Sequence, residues 1–165
     1  MNINVRCMQK DDWDAVVAIF KEGIDLRTAT FHSEVPTYEA WDQSHVKTCR
    51  FVAEVDGGVV GWIALTPFSG RCVYSGVAEV SIYIKASHRG KHVGETLLDT
   101  LIIESEKEGF WTLQSGIFEI NTASINLHTK FGFRMVGYRE RIGKDLNGVW
   151  QNTVLMERRS QVAGL

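Results

Sequence analysis

The stretch from residue 73 to residue 109 constrains the fold most, because its periodicity changes twice within a short length of chain. Polar and apolar residues alternate over residues 73–84, which predicts a β-strand. A basic, glycine-containing turn follows at residues 86–90, and apolar residues then recur at helical spacing until Gly109. We therefore expect a strand, a short turn and a long helix in direct succession near the middle of the chain.

The rest of the chain predicts one α+β domain over residues 1–165, because this length suits a single core. Turn signals at residues 56–58 and 147–148 each join two strands into a hairpin. We expect a mixed, mainly antiparallel, twisted sheet flanked by helices, and a C-terminal tail after Arg159 that frays. Further strands are expected at residues 3–7, 50–55, 59–65, 111–117, 133–141 and 149–157, and further helices at residues 13–20, 37–48 and 122–131.

Charge and cysteine content narrow the classes of function. The net charge is -2 and the pI is about 6.2, so we expect no nucleic-acid partner. The N-terminus lacks a signal-peptide pattern, and no apolar run approaches the roughly 20 residues that span a bilayer, so we expect a cytoplasmic protein without a membrane partner. Cys7, Cys49 and Cys72 are widely spaced, which favours reduced thiols and no metal site.

The turn before the long helix has the composition of an anion site. Unpaired amides and the helix dipole favour a phosphate at a helix start, Gly90 allows close approach, and Arg89 and Lys91 add positive charge. If these residues stood alone, an ordinary solvated turn would be the better explanation. A second helix start about 30 residues later, at residues 121–133, makes a diphosphate site the better interpretation.

Together the two segments resemble the acetyl-coenzyme A motifs of the GCN5-related N-acetyltransferase (GNAT) superfamily. In that family the pattern Q/R-x-x-G-x-G/A binds the pyrophosphate, and His92 occupies the usual middle glycine here. Its backbone N–H is retained, and histidine tolerates unusual backbone angles better than most residues. The other residues that match the pattern are Arg89, Gly90, Lys91, Val93 and Gly94.

The resemblance implies the GNAT fold, with central strands that splay apart. It also implies that backbone amides at Ile82, Tyr83 and Ile84 bind the pantetheine arm of acetyl-coenzyme A. Asn121 and Ser124, in the second segment, are implied to lie at the same cofactor.

Three stretches are most similar to the phosphinothricin, methionine sulfoximine and methionine sulfone acetyltransferases. They are E-x-S-I-Y-I from Glu79, N-x-x-S-x-x-L-H from Asn121 and the late stretch of residues 143–150. This branch implies that the acetyl group of acetyl-coenzyme A is transferred directly, in a ternary complex, to the amine of a small amino-acid-like substrate. It also implies a homodimer.

The branch and the chemistry of the reaction suggest roles for individual residues. An alkyl ammonium must lose a proton before it attacks a thioester, and Glu79 is the expected base. His128 is the expected proton donor to the departing thiolate, while an amide near residues 82–84 stabilises the oxyanion. Arg71 and Tyr74, upstream of Glu79 and Ser81, are expected to hold an acidic group of the substrate, with the loop at residues 26–31 as the opposite wall of the pocket.

Two other classes of function remain open at this point. One is an acetyltransferase for protein N-termini or antibiotic amines. An enzyme that binds a polyamine antibiotic would be expected to have an acidic pocket. The other is a non-catalytic coenzyme A sensor, which would bind the cofactor without releasing thiol. The presence of both Glu79 and His128 counts against the sensor.

Overall fold

A computed structural model describes all residues from 1 to 165. Seven strands form one mixed sheet in the order β1-β2-β3-β4-β5-β7-β6, in which only β4 and β5 are parallel. The strands are β1 (Asn4–Cys7), β2 (Phe51–Val55), β3 (Gly58–Pro67), β4 (Val77–Ile84), β5 (Thr112–Phe118), β6 (Arg134–Lys144) and β7 (Trp150–Arg159). The helices are α1 (Trp13–Asp25), α2 (Tyr38–Ser44), α3 (Val93–Lys107) and α4 (Thr122–Lys130).

Helices cover the two faces of the sheet unequally. The larger core lies on the α3 face, where alternate residues of β4 such as Ala78 and Val80 pack with Leu97 and Leu101. A smaller, aromatic core lies on the α1 face, where Phe20 packs against Trp62. On this second face α1 packs mainly against β3 and β4.

The central strands part from each other along their length. β4 and β5 pair from Val77 with Thr112 as far as Glu79 with Gln114, and no pairing continues beyond that point. The remainder of β4 stays paired with β3 through Ile84. The sheet is therefore split at its centre, which confirms the expected splayed strands.

The strand expected at residues 73–84 begins later than the alternation suggests. Cys72–Tyr74 form one turn of 3-10 helix, and β4 starts only at Val77. The close approach of Trp111 explains the break, because a Cβ added to Gly76 would lie 2.1 Å from the indole ring. Gly76 also accepts a hydrogen bond from the Trp111 backbone amide through its carbonyl, at 2.8 Å.

Two further boundaries differ from expectation. The helix expected at residues 37–48 ends at Ser44, where the Arg50 guanidinium takes over the carbonyls of Asp42 and His45. The expectation of a frayed tail is wrong. Arg159 donates hydrogen bonds to the Ala163 and Gly164 carbonyls, and the tail closes over Trp111.

All three cysteines are free thiols. None of the helices combines the length and the apolar character needed to cross a bilayer.

Candidate active site

The turn before α3 presents a row of free backbone donors. The amides of residues 90–95 donate no hydrogen bond to another part of the protein; the first amide of the helix to do so is that of Thr96, to the His92 carbonyl. Gly90 and His92 both adopt positive φ, at 70° and 65°, which turns successive amides toward one side. Free amides at a helix start form a preorganised site for a phosphate.

Side chains fix this turn from both ends. Arg89 donates from Nε to the Ile84 carbonyl at 3.2 Å, which ties the turn to the end of β4. Glu95 lies 2.8 Å from the Lys130 ammonium and 3.3 Å from Nδ1 of His92, and the hydrogen bond from Lys130 is the main cause that lowers the pKa of Glu95. The left-handed histidine at the usual glycine position therefore has a carboxylate beside its ring.

A cavity of about 370 Å³ runs from this turn to the split in the sheet. Gly94 forms part of its wall, where an added Cβ would lie 3.2 Å from Leu127 of α4, so glycine permits the close approach of the two helices. Of the predicted cofactor-binding residues, Lys91 is exposed and does not line the cavity. The lining includes Ile82, Tyr83, Ile84, Arg89, Gly90, His92, Val93, Gly94, Asn121 and Ser124.

Only two of the three predicted strand amides face the gap. Lys85 donates its amide to Val60, and because hydrogen-bonding direction alternates along an antiparallel pair, Tyr83 also pairs with β3. The amides of Ile82 and Ile84 therefore point toward the side that β5 has left. Tyr83 contributes its ring, which stacks on Trp62 at 5.0 Å between centroids.

A second cavity of about 540 Å³ meets the first at the split and contains Glu79, Ser81 and His128. Glu79 is exposed at the last position where β4 pairs with β5. Its Oε2 accepts a hydrogen bond from Gln114 Nε2 at 3.1 Å. The loop expected as the opposite wall supplies Thr30 and Phe31. The structure therefore brings both predicted catalytic residues to one cavity.

His128 is fully buried and held in one orientation. Its Nδ1 lies 2.7 Å from the carbonyl oxygen of Ser124, which can only accept, so Nδ1 carries the proton. Nε2 is buried and has no hydrogen-bond partner in the protein. Burial lowers the pKa of His128, so the ring is neutral and Nε2 presents a lone pair.

This tautomer bears on the role expected for His128, which stays a prediction. A proton donor at Nε2 requires the imidazolium form, which burial disfavours. In the resting site the neutral ring presents an acceptor at Nε2. Asn121 supports this arrangement from the start of α4, where its Oδ1 accepts from the Ser124 amide at 3.2 Å.

Arg71 and Tyr74 lie apart from this cavity. They stand at the 3-10 turn before β4, where the Arg71 guanidinium lies 5.6 Å from the Tyr74 ring centroid, and neither residue lines the two cavities described here. The late start of β4 explains their position, since residues 72–74 do not continue the strand that carries Glu79. Their substrate-binding role stays a prediction.

Sequence reasoning missed several residues of the second cavity. Gln114, Gly116 and Phe118 come from β5, and Arg139 and Thr153 come from β6 and β7. None belongs to a local motif, because the pairing of strands that are distant in sequence brings them together. His32, beside the predicted loop, also lines this cavity.

A split sheet with free strand amides, a phosphate-binding helix start across the gap and a carboxylate at the fork define an acyl-coenzyme A-dependent transferase. The diphosphate suits the free amides of residues 90–95, and the pantetheine arm suits the amides of Ile82 and Ile84. No group of three or more His, Cys, Asp or Glu side chains is arranged to hold a metal ion.

The chain belongs to the acetyltransferase (GNAT) family, whose model matches residues 14–133. It is an N-acetyltransferase that uses acetyl-coenzyme A as the acetyl donor.

Three known proteins illustrate the similarity. The phosphinothricin N-acetyltransferase of Alcaligenes faecalis is 33% identical over 93% of this chain and 81% of its own length. The L-methionine sulfoximine/L-methionine sulfone acetyltransferase of Pseudomonas paraeruginosa is 25% identical over 95% and 94%. The crystal structure of a GNAT superfamily phosphinothricin acetyltransferase from Sinorhizobium meliloti with acetyl-coenzyme A superposes with a TM-score of 0.90 at 26% identity, over 99% of this chain and 91% of that one.

Proposed function

We propose that the enzyme acetylates the amine of a small amino-acid-like substrate of the phosphinothricin, methionine sulfoximine or methionine sulfone type. The observation that carries this proposal is one cavity that holds the exposed carboxylate of Glu79 and the buried lone pair of His128. At the split sheet it meets the first cavity, which runs from the turn before α3. The names of the related enzymes point to the same class of substrate.

The charges of the cavity favour this class over a polyamine. Glu79 is the only carboxylate among its lining residues, and Arg139 is the only lysine or arginine. A polyamine carries several positive charges and would need several carboxylates. An amino acid analogue carries one ammonium and at least one acidic group, which matches one charge of each sign.

The geometry assigns complementary tasks to the residues around the split. Acetyl-coenzyme A supplies an acetyl group activated as a thioester. Glu79 receives the substrate ammonium and takes its proton, directly or through water, while Gln114 orients the carboxylate. The amides of Ile82 and Ile84 can donate to the carbonyl oxygen of the acetyl group. After the neutral amine attacks the carbonyl carbon, its nitrogen carries one proton more than the amide product needs. Nε2 of neutral His128 can accept this proton, and the imidazolium can return it to the thiolate that leaves as the C–S bond breaks.

We also propose that the protein is a homodimer built on the β6–β7 hairpin. Of the exposed large hydrophobic side chains, many belong to this hairpin, and β6 is an unpaired edge of the sheet. Apolar edge strands normally invite pairing unless charges or bulges protect them. The residues concerned are Met135, Val136, Tyr138, Ile142, Leu146, Val149 and Trp150.

A thiol-release assay with acetyl-coenzyme A tests the substrate proposal. The panel contains phosphinothricin, methionine sulfoximine, methionine sulfone, the common amino acids, spermidine, an aminoglycoside and N-terminal peptides. We expect the highest kcat/KM for one of the first three compounds. Faster turnover of a peptide or a polyamine would support the alternative acceptors, and binding of acetyl-coenzyme A without thiol release from any amine would support a sensor.

A further inference from the structure

Arg139 has no established task in the fold, although it lines the substrate cavity. It lies on the edge strand β6, it is exposed, and its guanidinium makes no hydrogen bond or ion pair with the protein. Arg134 and Arg158 of the same hairpin are engaged, with Glu157 and Glu106 respectively, whereas Arg141 has no side-chain partner but does not line the cavity. Arg139 therefore offers its full set of donors to the cavity.

Strand register places Arg139 on the same face of the sheet as Glu79. Glu79 pairs with Gln114 of β5, and their side chains are hydrogen bonded, so both point to the face on which α1 packs. Phe118, four residues further along β5, shares that face because side chains alternate. Phe118 pairs with Thr153, and Thr153 pairs with Arg139, which continues the row across the sheet.

The floor between the two charges carries one apolar side chain, Leu155, which pairs with Gly116 on one side and with Gly137 on the other. A Cβ added to Gly116 or Gly137 would meet no atom within 4 Å, so the backbone there is open to a bound molecule. Phe31 bounds the Arg139 end, since its ring lies 4.4 Å from that of Phe118 and against Gly143.

On the basis of the proposed function, we infer that Arg139 binds an acidic or strongly polar group at the end of the substrate side chain, while Glu79 receives its amine. Four residues along β5 and three strand spacings separate their Cα atoms by roughly 20 Å, from a rise of about 3.3 Å per residue and a spacing of about 4.8 Å. Two long side chains that lean inward shorten this span. The gap left between the carboxylate and the guanidinium is longer than the distance between the ammonium and the carboxylate on one α-carbon. It suits a polar group that lies several bonds from the amine of the substrate.

The guanidinium is well matched to such a group. Its planar donors can bind two oxygens of a phosphinate, a carboxylate or a sulfone at once. This assignment makes Arg139, from the edge strand, a determinant of side-chain specificity that acts separately from Arg71.

The test compares Arg139→Gln with Arg141→Gln, a matched loss of charge on the same strand at an exposed residue that does not line the cavity. The compounds are phosphinothricin and norleucine, and norleucine lacks an acidic group at the end of its side chain. Each is measured as a substrate or as a competitive inhibitor. We expect Arg139→Gln to raise the KM for phosphinothricin about tenfold to a hundredfold, as loss of a charge-assisted hydrogen bond predicts. Its kcat and the KM or Ki for norleucine should stay near wild type, and Arg139→Lys should recover part of the loss.

Three results would overturn the inference. The first is an unchanged KM of Arg139→Gln for phosphinothricin. The second is an equal rise of the KM or Ki of Arg139→Gln for both compounds. The third is a raised KM for phosphinothricin in Arg71→Gln with no rise in Arg139→Gln. These results differ from failure of the proposed function, in which the wild-type enzyme would acetylate no amino acid analogue at all. Circular dichroism and the KM for acetyl-coenzyme A confirm that each variant is folded with an intact donor site.

Discussion

The imidazole of His128 shows how one backbone contact can decide the chemistry of a side chain. The Ser124 carbonyl fixes the proton on Nδ1, and burial keeps the ring neutral, so Nε2 can only accept a proton. Glu79 lies in the opposite kind of environment, at an exposed strand position with one amide donor. The two residues therefore suit successive proton transfers at the two ends of the acetyl group.

We predict that Glu79→Gln and His128→Phe each lower kcat far more than they change the KM for acetyl-coenzyme A. Loss of a positioned acid or base costs about a hundredfold to ten-thousandfold in rate. Steady-state kinetics of both variants, with Glu140→Gln as a control at an exposed carboxylate outside the cavities, measures this effect. Wild-type kcat in both variants would show that the two side chains have no chemical role.

Burial of His128 also predicts how stability depends on pH. Its pKa is lowered in the folded protein, so the unfolded chain binds more protons once the pH falls below the ordinary histidine value of about 6.5. The stabilisation from the neutral ring is complete above that value and is lost as the pH falls toward the folded pKa. His45, whose pKa is also lowered by burial, acts in the same direction.

We expect the free energy of unfolding of the wild-type protein to decrease between pH 7.5 and pH 5.5, and to decrease less in His128→Phe. Urea denaturation followed by tryptophan fluorescence at the two pH values measures the difference. His45→Phe provides the matched comparison, because it removes the half-buried imidazole whose pKa is also lowered. If acidification weakens wild type and both variants equally, neither ring is kept neutral by the fold.

Residues of the site differ in how far the sequence could predict them. Arg89 to Gly94 form one short pattern, so their position before a helix could be predicted from local spacing alone. The His128 tautomer could not, because it depends on a contact that forms only when α4 is built and buried. Arg139 is separated from Glu79 by 60 positions, and only the pairing of β5, β7 and β6 brings the two into one cavity.

At the scale of elements, the turn into α3 works through its backbone rather than through its side chains. His92 adopts a φ of 65°, and its ring is exposed while its amide stays free. A non-glycine residue in this conformation is strained, and a β-branched residue is strained most. A substitution of His92 should therefore act mainly by changing the shape of the turn, and only secondarily by changing side-chain contacts with acetyl-coenzyme A.

We predict that His92→Gly retains near-wild-type affinity for acetyl-coenzyme A, because it keeps the amide and relaxes the backbone. His92→Val should destabilise the protein, because a β-branched residue is strained more than histidine in a left-handed conformation, and should weaken binding of acetyl-coenzyme A. Urea denaturation and isothermal titration calorimetry measure the two effects. A large loss of affinity in His92→Gly, with stability intact, would mean that the imidazole itself binds the donor.

Element boundaries were less predictable than element types. Alternation begins at residue 73, yet β4 starts only at Val77, after the close approach of Trp111 to Gly76. Residues 45–48 carry no helix breaker, yet α2 ends at Ser44. The Arg50 guanidinium donates to the carbonyls of His45 and Val46, which follow the helix. In both cases a tertiary contact overrides a local preference that the sequence displays correctly.

The whole molecule is uneven in how it covers its sheet. Helices α1 and α3 pack against β3 and β4, whereas the β6–β7 hairpin carries much of the exposed apolar surface. The C-terminal tail folds back on Trp111 rather than across this hairpin, so no segment of the same chain covers it. A second copy of the chain is the occupant that we propose, and it would shield apolar side chains at the edge where the sheet ends.

The last prediction tests this assembly with two matched substitutions. Val136 is 44% exposed on β6, and Val162 is 68% exposed in the tail. A charge placed on an apolar edge strand opposes pairing with another chain, so Val136→Asp should shift the protein from dimer to monomer, whereas Val162→Asp should not. Size-exclusion chromatography with light scattering measures the mass of each variant, and circular dichroism shows that each is folded. A wild-type protein that runs as a monomer at micromolar concentration, or a Val136→Asp variant that stays dimeric, would place the exposed hairpin outside any interface between copies.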